Sequence, residues 1–258
     1  MNKLTEEIGG NTYTVYMSPS LGVLEPERIR ASQGLRYDPT RIHGKHRSTD
    51  LYTTDDWCSA ADTIAIQRGS IAEKPWDQLS VFRVPDDIFE VLRERYAGNT
   101  AAEGGYPFAV DAEIRIGLNQ LLRNLFGPSS DFSIDEKAIL LRSNPAKGVA
   151  TGQTTNGFHF DIGNEDSLRV GINLGDVPRY VYYVPVSRAT LLPGRTRDEC
   201  QRLYREISGT NIPVVSVRVD PGEGWSLATT EYLHDGRRAQ AEGLSRFVLF
   251  TAVAVCQS

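Results

Sequence analysis

"SLRVGINLGDVPRYVYYVPV", residues 167–186, decides the fold. In its first part Leu168, Val170, Ile172 and Leu174 fall on one face of an extended chain, and Arg169, Gly171 and Asn173 on the other. A period of two marks a strand. The same reading extends to "KAILLRSN" (137–144), "RYVYYVPV" (179–186), "IPVVSVRV" (212–219), "GWSLATT" (224–230) and "SRFVLFTAVAV" (245–255). One helix interrupts them, "TRDECQRLYREISG" (196–209). It has a capping box at Thr196 and Glu199 and a stop at Gly209. The second half of the chain is therefore expected to be a strand-rich core over 136–256.

Working back from that core, the period changes. "PDDIFEVLRERYAG" (85–98) opens on acidic residues, closes on Gly98, and aligns Ile88, Phe89, Leu92 and Tyr96. "VDAEIRIGLNQLLRNLFGP" (110–128) places Val110, Ile114, Leu118, Leu121, Leu122 and Leu125 at helical spacing before Gly127-Pro128 stops it. Residues 76–130 are thus read as supporting helices that lay apolar stripes on a sheet. Residues 1–75 show no sustained period beyond a short strand at "TYTVYM" (12–17), and are expected to be a loop-rich covering segment. With 258 residues, and all-β units often running to about 200–250 residues, the chain reads as a single domain over 1–258. Its fold class is α+β, mainly β: a jelly-roll barrel braced by helices.

Composition excludes several partners. Hydrophobic content of 40% and charged content of 24% are ordinary for a globular protein. A net charge of −5 without a long basic run argues against nucleic acid. The three cysteines, Cys58, Cys200 and Cys256, are far apart and form no zinc-ligand spacing. They read as free thiols of a cytoplasmic protein. The N-terminus lacks the apolar core of a signal peptide. "FVLFTAVAVC" (247–256) is too short to span a bilayer as a helix, so no membrane partner is expected.

The chemistry sits just before residue 167. In "GFHFD" (157–161), His159 and Asp161 are two residues apart, so on an extended chain they point to one side and can reach one metal ion. The other reading is an ordinary polar pair. A third ligand must come from elsewhere, and the chain has only four histidines. His43 and His46 sit in the basic cluster "RIHGKHR" (41–47), which reads as a solvated loop. His234 follows a strand and precedes the turn signal Asp235-Gly236. Two histidines and a carboxylate make the facial triad of non-haem Fe(II) oxygenases. Arg246 opens the next strand, 246 − 234 = 12 residues after His234, and a hairpin would return it beside the metal. Its guanidinium could take a carboxylate through two parallel hydrogen bonds. Arg169 and Asn173, on the polar face of their strand, are candidates for the same cavity. Arg169 either looks into the barrel, where it needs an anionic partner, or lies in solvent. Tyr180, Tyr182 and Tyr183 could hydrogen-bond a ligand but read first as packing aromatics, as do Trp57 and Trp225.

H-x-D at 159–161, His234, and Arg246 a dozen residues later resemble the Fe(II)/2-oxoglutarate-dependent oxygenase superfamily over roughly residues 138–255. Gly152-Gln153-Thr154, Arg169, Asn173 and Pro178-Arg179 carry a weaker likeness to its Kdo hydroxylase family. The resemblance implies a double-stranded β-helix (jelly-roll, cupin-like) fold. It implies iron on His159, Asp161 and His234, and the far carboxylate of 2-oxoglutarate on Arg246; Arg169 and Asn173, from their strand face, are further expected cofactor-binding residues. The implied activity uses O2 and 2-oxoglutarate, releases succinate and CO2, and hydroxylates an unactivated C–H bond. The expected substrate is a small metabolite: an amino acid, a specialised-metabolite intermediate or a sugar acid. Asp161 disfavours halogenation, which needs a small residue there. Desaturation or ring formation, a silent cupin-like binding protein, and a different metalloenzyme on the same barrel remain as alternatives. Oligomeric state is not legible.

Overall fold

Alternation along the chain becomes alternation between two sheets. The computed structural model describes residues 13–17, 28–32, 34–37, 51–53, 56–59, 64–68, 79–97, 106–107, 112–127, 132–144, 157–161, 167–191, 207, 212–238 and 245–254. Before residue 80 come β1 (Tyr13–Met17), β2 (Ile29–Ser32), β3 (Leu35–Tyr37), β4 (Leu51–Thr53), β5 (Cys58–Ser59) and β6 (Ile64–Arg68). The middle of the chain holds β7 (Ser80–Arg83), α1 (Asp86–Ala97), β8 (Tyr106–Pro107) and α2 (Ala112–Phe126). The last part holds β9 (Phe132–Asn144), β10 (Ser167–Asn173), β11 (Arg179–Ser187), the short α3 (Arg188–Leu191), β12 (Val214–Val219), β13 (Glu223–Leu227), β14 (Tyr232–Arg238) and β15 (Ser245–Ala254).

The winding defines the barrel. In one sheet β13, β10, β15 and β9 lie side by side, and in the other β14, β11 and β12 do. His159 bridges to His234 of β14, so its segment adds to the second sheet. In chain order the strands therefore go large sheet, small, large, small, small, large, small, large. All these pairings are antiparallel. This is the double-stranded β-helix, a jelly roll closed from two four-strand halves.

Each strand supplies two faces. On β10, Leu168, Val170 and Ile172 are buried together with Val248, Phe250 and Ala252 of β15 and with Ile114, Leu118, Leu121, Leu122 and Phe126 of α2. The helices thus brace the outside of the large sheet, as the 3.6-residue stripe predicts. On β11, Val181 and Tyr183 belong to this first core, while Tyr182, Val184 and Val186 belong to a second one with Phe158, Phe160, Val214 and Leu233. That double burial explains why "YVYYVPV" is apolar at nearly every position.

The first 75 residues contribute to both sheets. Among the described residues they carry six short strands. β1 pairs in parallel with β6 and β7, and so extends the large sheet. β2 adds to β12, and β5 adds to β2. β3 and β4 form a separate ribbon whose Leu35 and Leu51 seal the second core. Such strands take their pairing from an edge that already exists, so they need no long period of their own. β9 also begins before residue 136. The helix expected at 196–209 lies outside the described residues, apart from the buried Ile207. No helix among the described residues is long and apolar enough to cross a membrane.

One buried ion pair locks the early segment to the barrel. Arg28, next to β2, pairs through Nη2 with Glu223 Oε2 at the start of β13, and both are buried. The Asp220 backbone N–H donates to the same oxygen at 2.8 Å. Removing one partner strands a charge in the interior. Arg28→Met should therefore cost on the order of 3–5 kcal/mol in denaturant unfolding, and the double variant Arg28→Met/Glu223→Leu markedly less. Equal losses in the two variants would show that the pair is not the source of the stability.

Candidate metal centre

Four consecutive residues build the centre. In Phe158-His159-Phe160-Asp161 the two phenylalanines are buried in the second core, and the polar pair faces into the barrel. The backbone fixes this phase. Phe158 N–H donates to Leu51 O at 2.9 Å, and Asp161 N–H to Thr229 O at 2.9 Å. Between them His159 and His234 exchange two backbone hydrogen bonds, each 3.1 Å. Residues directly opposite in an antiparallel pair project to the same side. The imidazoles accordingly face each other with ring centroids 4.5 Å apart.

Hydrogen bonds then set which nitrogen points inward. His159 Nδ1 lies 2.7 Å from Gly157 O, and His234 Nδ1 lies 3.2 Å from Tyr232 O. A carbonyl can only accept, so each Nδ1 carries the proton. Gly157 has φ 76, a conformation that suits glycine and turns its carbonyl toward the ring. Both Nε2 atoms are left facing Asp161 Oδ1, at 3.6 Å and 3.9 Å. The three donor groups lie within 4.8 Å of one another.

The far oxygen of Asp161 is fully engaged. Oδ2 accepts from Arg169 Nε at 3.1 Å and Thr229 Oγ1 at 2.8 Å, and Arg169 Nη2 is also at 3.1 Å. Arg169 in turn donates from Nη1 to Thr251 Oγ1 on β15 at 2.9 Å. The anion that Arg169 needs is thus Asp161. Oδ1 is the oxygen that faces the histidines.

Electrostatics follow from this packing. Burial pulls the Asp161 carboxyl upward, but His234, His159 and Arg169 outweigh it and hold it well below the usual carboxylate range. Burial, and then the charge of His159, push His234 down to about 4. For His159 burial lowers the pKa, but the hydrogen bond and charge of Asp161, with Asp235, raise it overall. Two lone pairs and a carboxylate oxygen converge here, an arrangement suited to a cation. A proton on His159 relieves one 3.6 Å contact. A metal ion relieves all three at once, and these groups are the nitrogen and carboxylate donors that divalent iron takes.

The centre opens on a cavity with about 790 Å³ of atom-free space, its mouth included. Arg179, Tyr180, Trp225, Asp235 and Leu249 contribute to its wall. Asn173 also lines it, but the side chain is held in the backbone: Nδ2 donates to Val177 O and Val219 O, each at 3.0 Å, and Oδ1 accepts from Gly175 N–H at 3.1 Å. Arg246 pairs with Ser143 across β9. In register it is in phase with Val248 and Phe250 and out of phase with Leu249, which lines the cavity. Its side chain, like His43 and His46, lies outside the described residues. Trp57 stacks on Tyr182 with centroids 5.1 Å apart, the packing role expected of it.

Four residues of the site escaped the sequence reading as participants: Thr229, Thr251, Arg179 and Trp225. Thr229 is 68 residues from the aspartate it holds, and Thr251 is 82 from Arg169. No local pattern encodes such distances. Arg179 and Trp225 carried a signal, since both lie at inward positions of strands flanking the motif.

No protein-family model matches the chain. No curated protein matches it either. Similar solved structures include the apo Kdo hydroxylase KdoO, described as a non-heme Fe(II) alphaketoglutarate dependent dioxygenase. It has a TM-score of 0.45 and 16% identity, over 69% of this chain and 79% of that one. SnoN, a non-heme alpha ketoglutarate dependent epimerase from nogalamycin biosynthesis, gives 0.45 and 17%, over 72% and 84%. AviO1 from Streptomyces viridochromogenes Tue57 gives 0.44 and 16%, over 73% and 95%. At TM-scores below 0.5 these likenesses add no weight to the fold or the site, which rest on their own winding and geometry.

The hold on Asp161 is open to test. Thr229→Val removes a hydrogen bond to the carboxylate and should weaken Fe(II) or Co(II) affinity roughly ten- to a hundred-fold, whereas Thr229→Ser should stay close to the parent. Metal titration by calorimetry reads both. Unchanged affinity in the valine variant would remove Thr229 from the support of the site.

Proposed function

We propose that this chain is an Fe(II)- and 2-oxoglutarate-dependent oxygenase that hydroxylates an unactivated C–H bond of a small metabolite. The observation that carries this reading is the convergence of both Nε2 atoms and Asp161 Oδ1, with each Nδ1 proton already spent on a backbone carbonyl. His159, Asp161 and His234 would hold the iron. When bound, the metal with 2-oxoglutarate and O2 supplies the oxidant, and succinate and CO2 are released. The protein's part is placement. Arg169 and Thr229 keep Asp161 to one donor oxygen, and the cavity wall orients the substrate. The size of the cavity supports a small-molecule substrate.

The far carboxylate of the cosubstrate needs a cation. Arg246 is proposed for it on its spacing from His234. Arg179 is the second candidate, favoured by a specific observation: it is buried, 8% exposed, in the cavity wall. Arg169 is already engaged with Asp161.

Anaerobic absorption spectroscopy tests the whole reading. Adding 2-oxoglutarate to the Fe(II) protein should produce a new visible band. His159→Ala and His234→Ala should abolish the band and succinate release while circular dichroism is preserved. Asp161→Gly should weaken iron binding. No band in the parent protein would favour a binding protein of the same barrel. Desaturation and ring formation use the same set of residues, and product analysis separates them from hydroxylation.

The clamp is resolved by titrating 2-oxoglutarate into anaerobic Fe(II) forms of two variants. Arg246→Lys should weaken binding roughly ten- to a hundred-fold, because an ammonium cannot reproduce a two-pronged contact. Iron affinity should hold. If Arg179→Lys shows the loss and Arg246→Lys does not, the clamp belongs to β11.

A further inference from the structure

We propose that Trp225, seated on Gly171, sets the width of the cavity beside the metal centre and so selects substrates by size; this rests on the metal reading above. β13 is buried along its length except at its middle residue, Trp225, which is half-buried and lines the cavity that holds His159, Asp161 and His234. Across the sheet Trp225 pairs directly with Gly171 of β10. Gly171 is two residues from Arg169, so both lie on the sheet face that looks toward Asp161.

The fit between the two is close. A Cβ at position 171 would lie 2.5 Å from Trp225 Nε1, 2.6 Å from Cε2 and 2.9 Å from Cζ2. The indole therefore lies flat over the Gly171 backbone, in space that any side chain at 171 would claim. On its other flank Trp225 pairs with the fully buried Val81 of β7. An indole lifted off Gly171 has the cavity to move into. The glycine is thus what holds the ring back from the reaction space.

The wall also has a chemical character. An indole face is apolar with one N–H donor at its edge. Arg179 and Asp235 supply charge elsewhere in the same wall. A substrate fitting this cavity has a compact apolar face, which packs on Trp225, and polar or charged groups directed away from it. A larger residue at 171 narrows the admitted class, and a smaller one at 225 widens it.

The test uses the Co(II)-loaded protein and two exogenous metal ligands of different size, imidazole and phenylimidazole, titrated by visible absorption. Trp225→Ala should bind phenylimidazole about tenfold tighter than the parent, and Gly171→Ala about tenfold weaker. Imidazole affinity should stay within about twofold in both. The double variant Gly171→Ala/Trp225→Ala should return to the behaviour of Trp225→Ala, since the clash vanishes with the indole. Trp225→Leu serves in place of the alanine variant if that fails to fold. An unchanged ratio of the two affinities across the variants overturns the proposal and leaves the metal reading standing. A parent protein that takes up no Co(II) overturns both.

Discussion

Two backbone hydrogen bonds between His159 and His234, each 3.1 Å, are the constraint on which the rest depends. They join the segment before β10 to β14 and so complete the small sheet of the barrel. They also force two imidazoles onto one side of that sheet. The same contact closes the fold and assembles the centre. A one-residue slip would send the histidines into the second core and bring Phe158 and Phe160 into the barrel. The phenylalanines guard the phase, because their burial is lost in the slipped register.

The centre shows what a buried polar cluster requires. Asp161 accepts through one oxygen from Arg169 and Thr229, and each imidazole is oriented by a carbonyl within two residues of it. Satisfied networks of this kind specify one geometry, because every alternative leaves a buried donor or acceptor alone. The residual conflict lies among the three atoms that point at one another. Their mutual repulsion is relieved by a cation and by little else.

Much of this was legible in the sequence, for physical reasons that differ by element. β10 and β11 declared themselves because burial imposes a period of two, and α1 and α2 because packing on one side imposes 3.6. H-x-D was legible because its geometry is local. Arg169 was open between a barrel position that needs an anion and a solvent position, and it is largely buried with an anion beside it. The partner is Asp161, eight residues away, and not an incoming ligand. Thr229 and Thr251 were illegible because the contacts are set by how the barrel closes. Apart from β1, the early strands were illegible because segments of two to five residues draw stability from neighbouring edges and leave little pattern behind. Trp225 was read as packing, and it does pack. Its second face became visible only through the register with Gly171.

Charge accounting gives the proposed chemistry a further constraint. Before metal arrives, Asp161 and Arg169 offset each other, and His234 is neutral. A dication bound there would leave about two positive charges uncompensated in a largely buried site. Arg179 adds another to the wall, and Asp235 subtracts one. Uncompensated charge away from water is costly, so the loaded centre favours an anionic ligand over a neutral one. A dicarboxylate that chelates the metal at one end and meets an arginine at the other restores the balance. The ion pair between Arg169 and Asp161 therefore has a second consequence beyond orientation. By neutralising the aspartate in advance, it would leave the charge of the proposed metal available to the proposed cosubstrate.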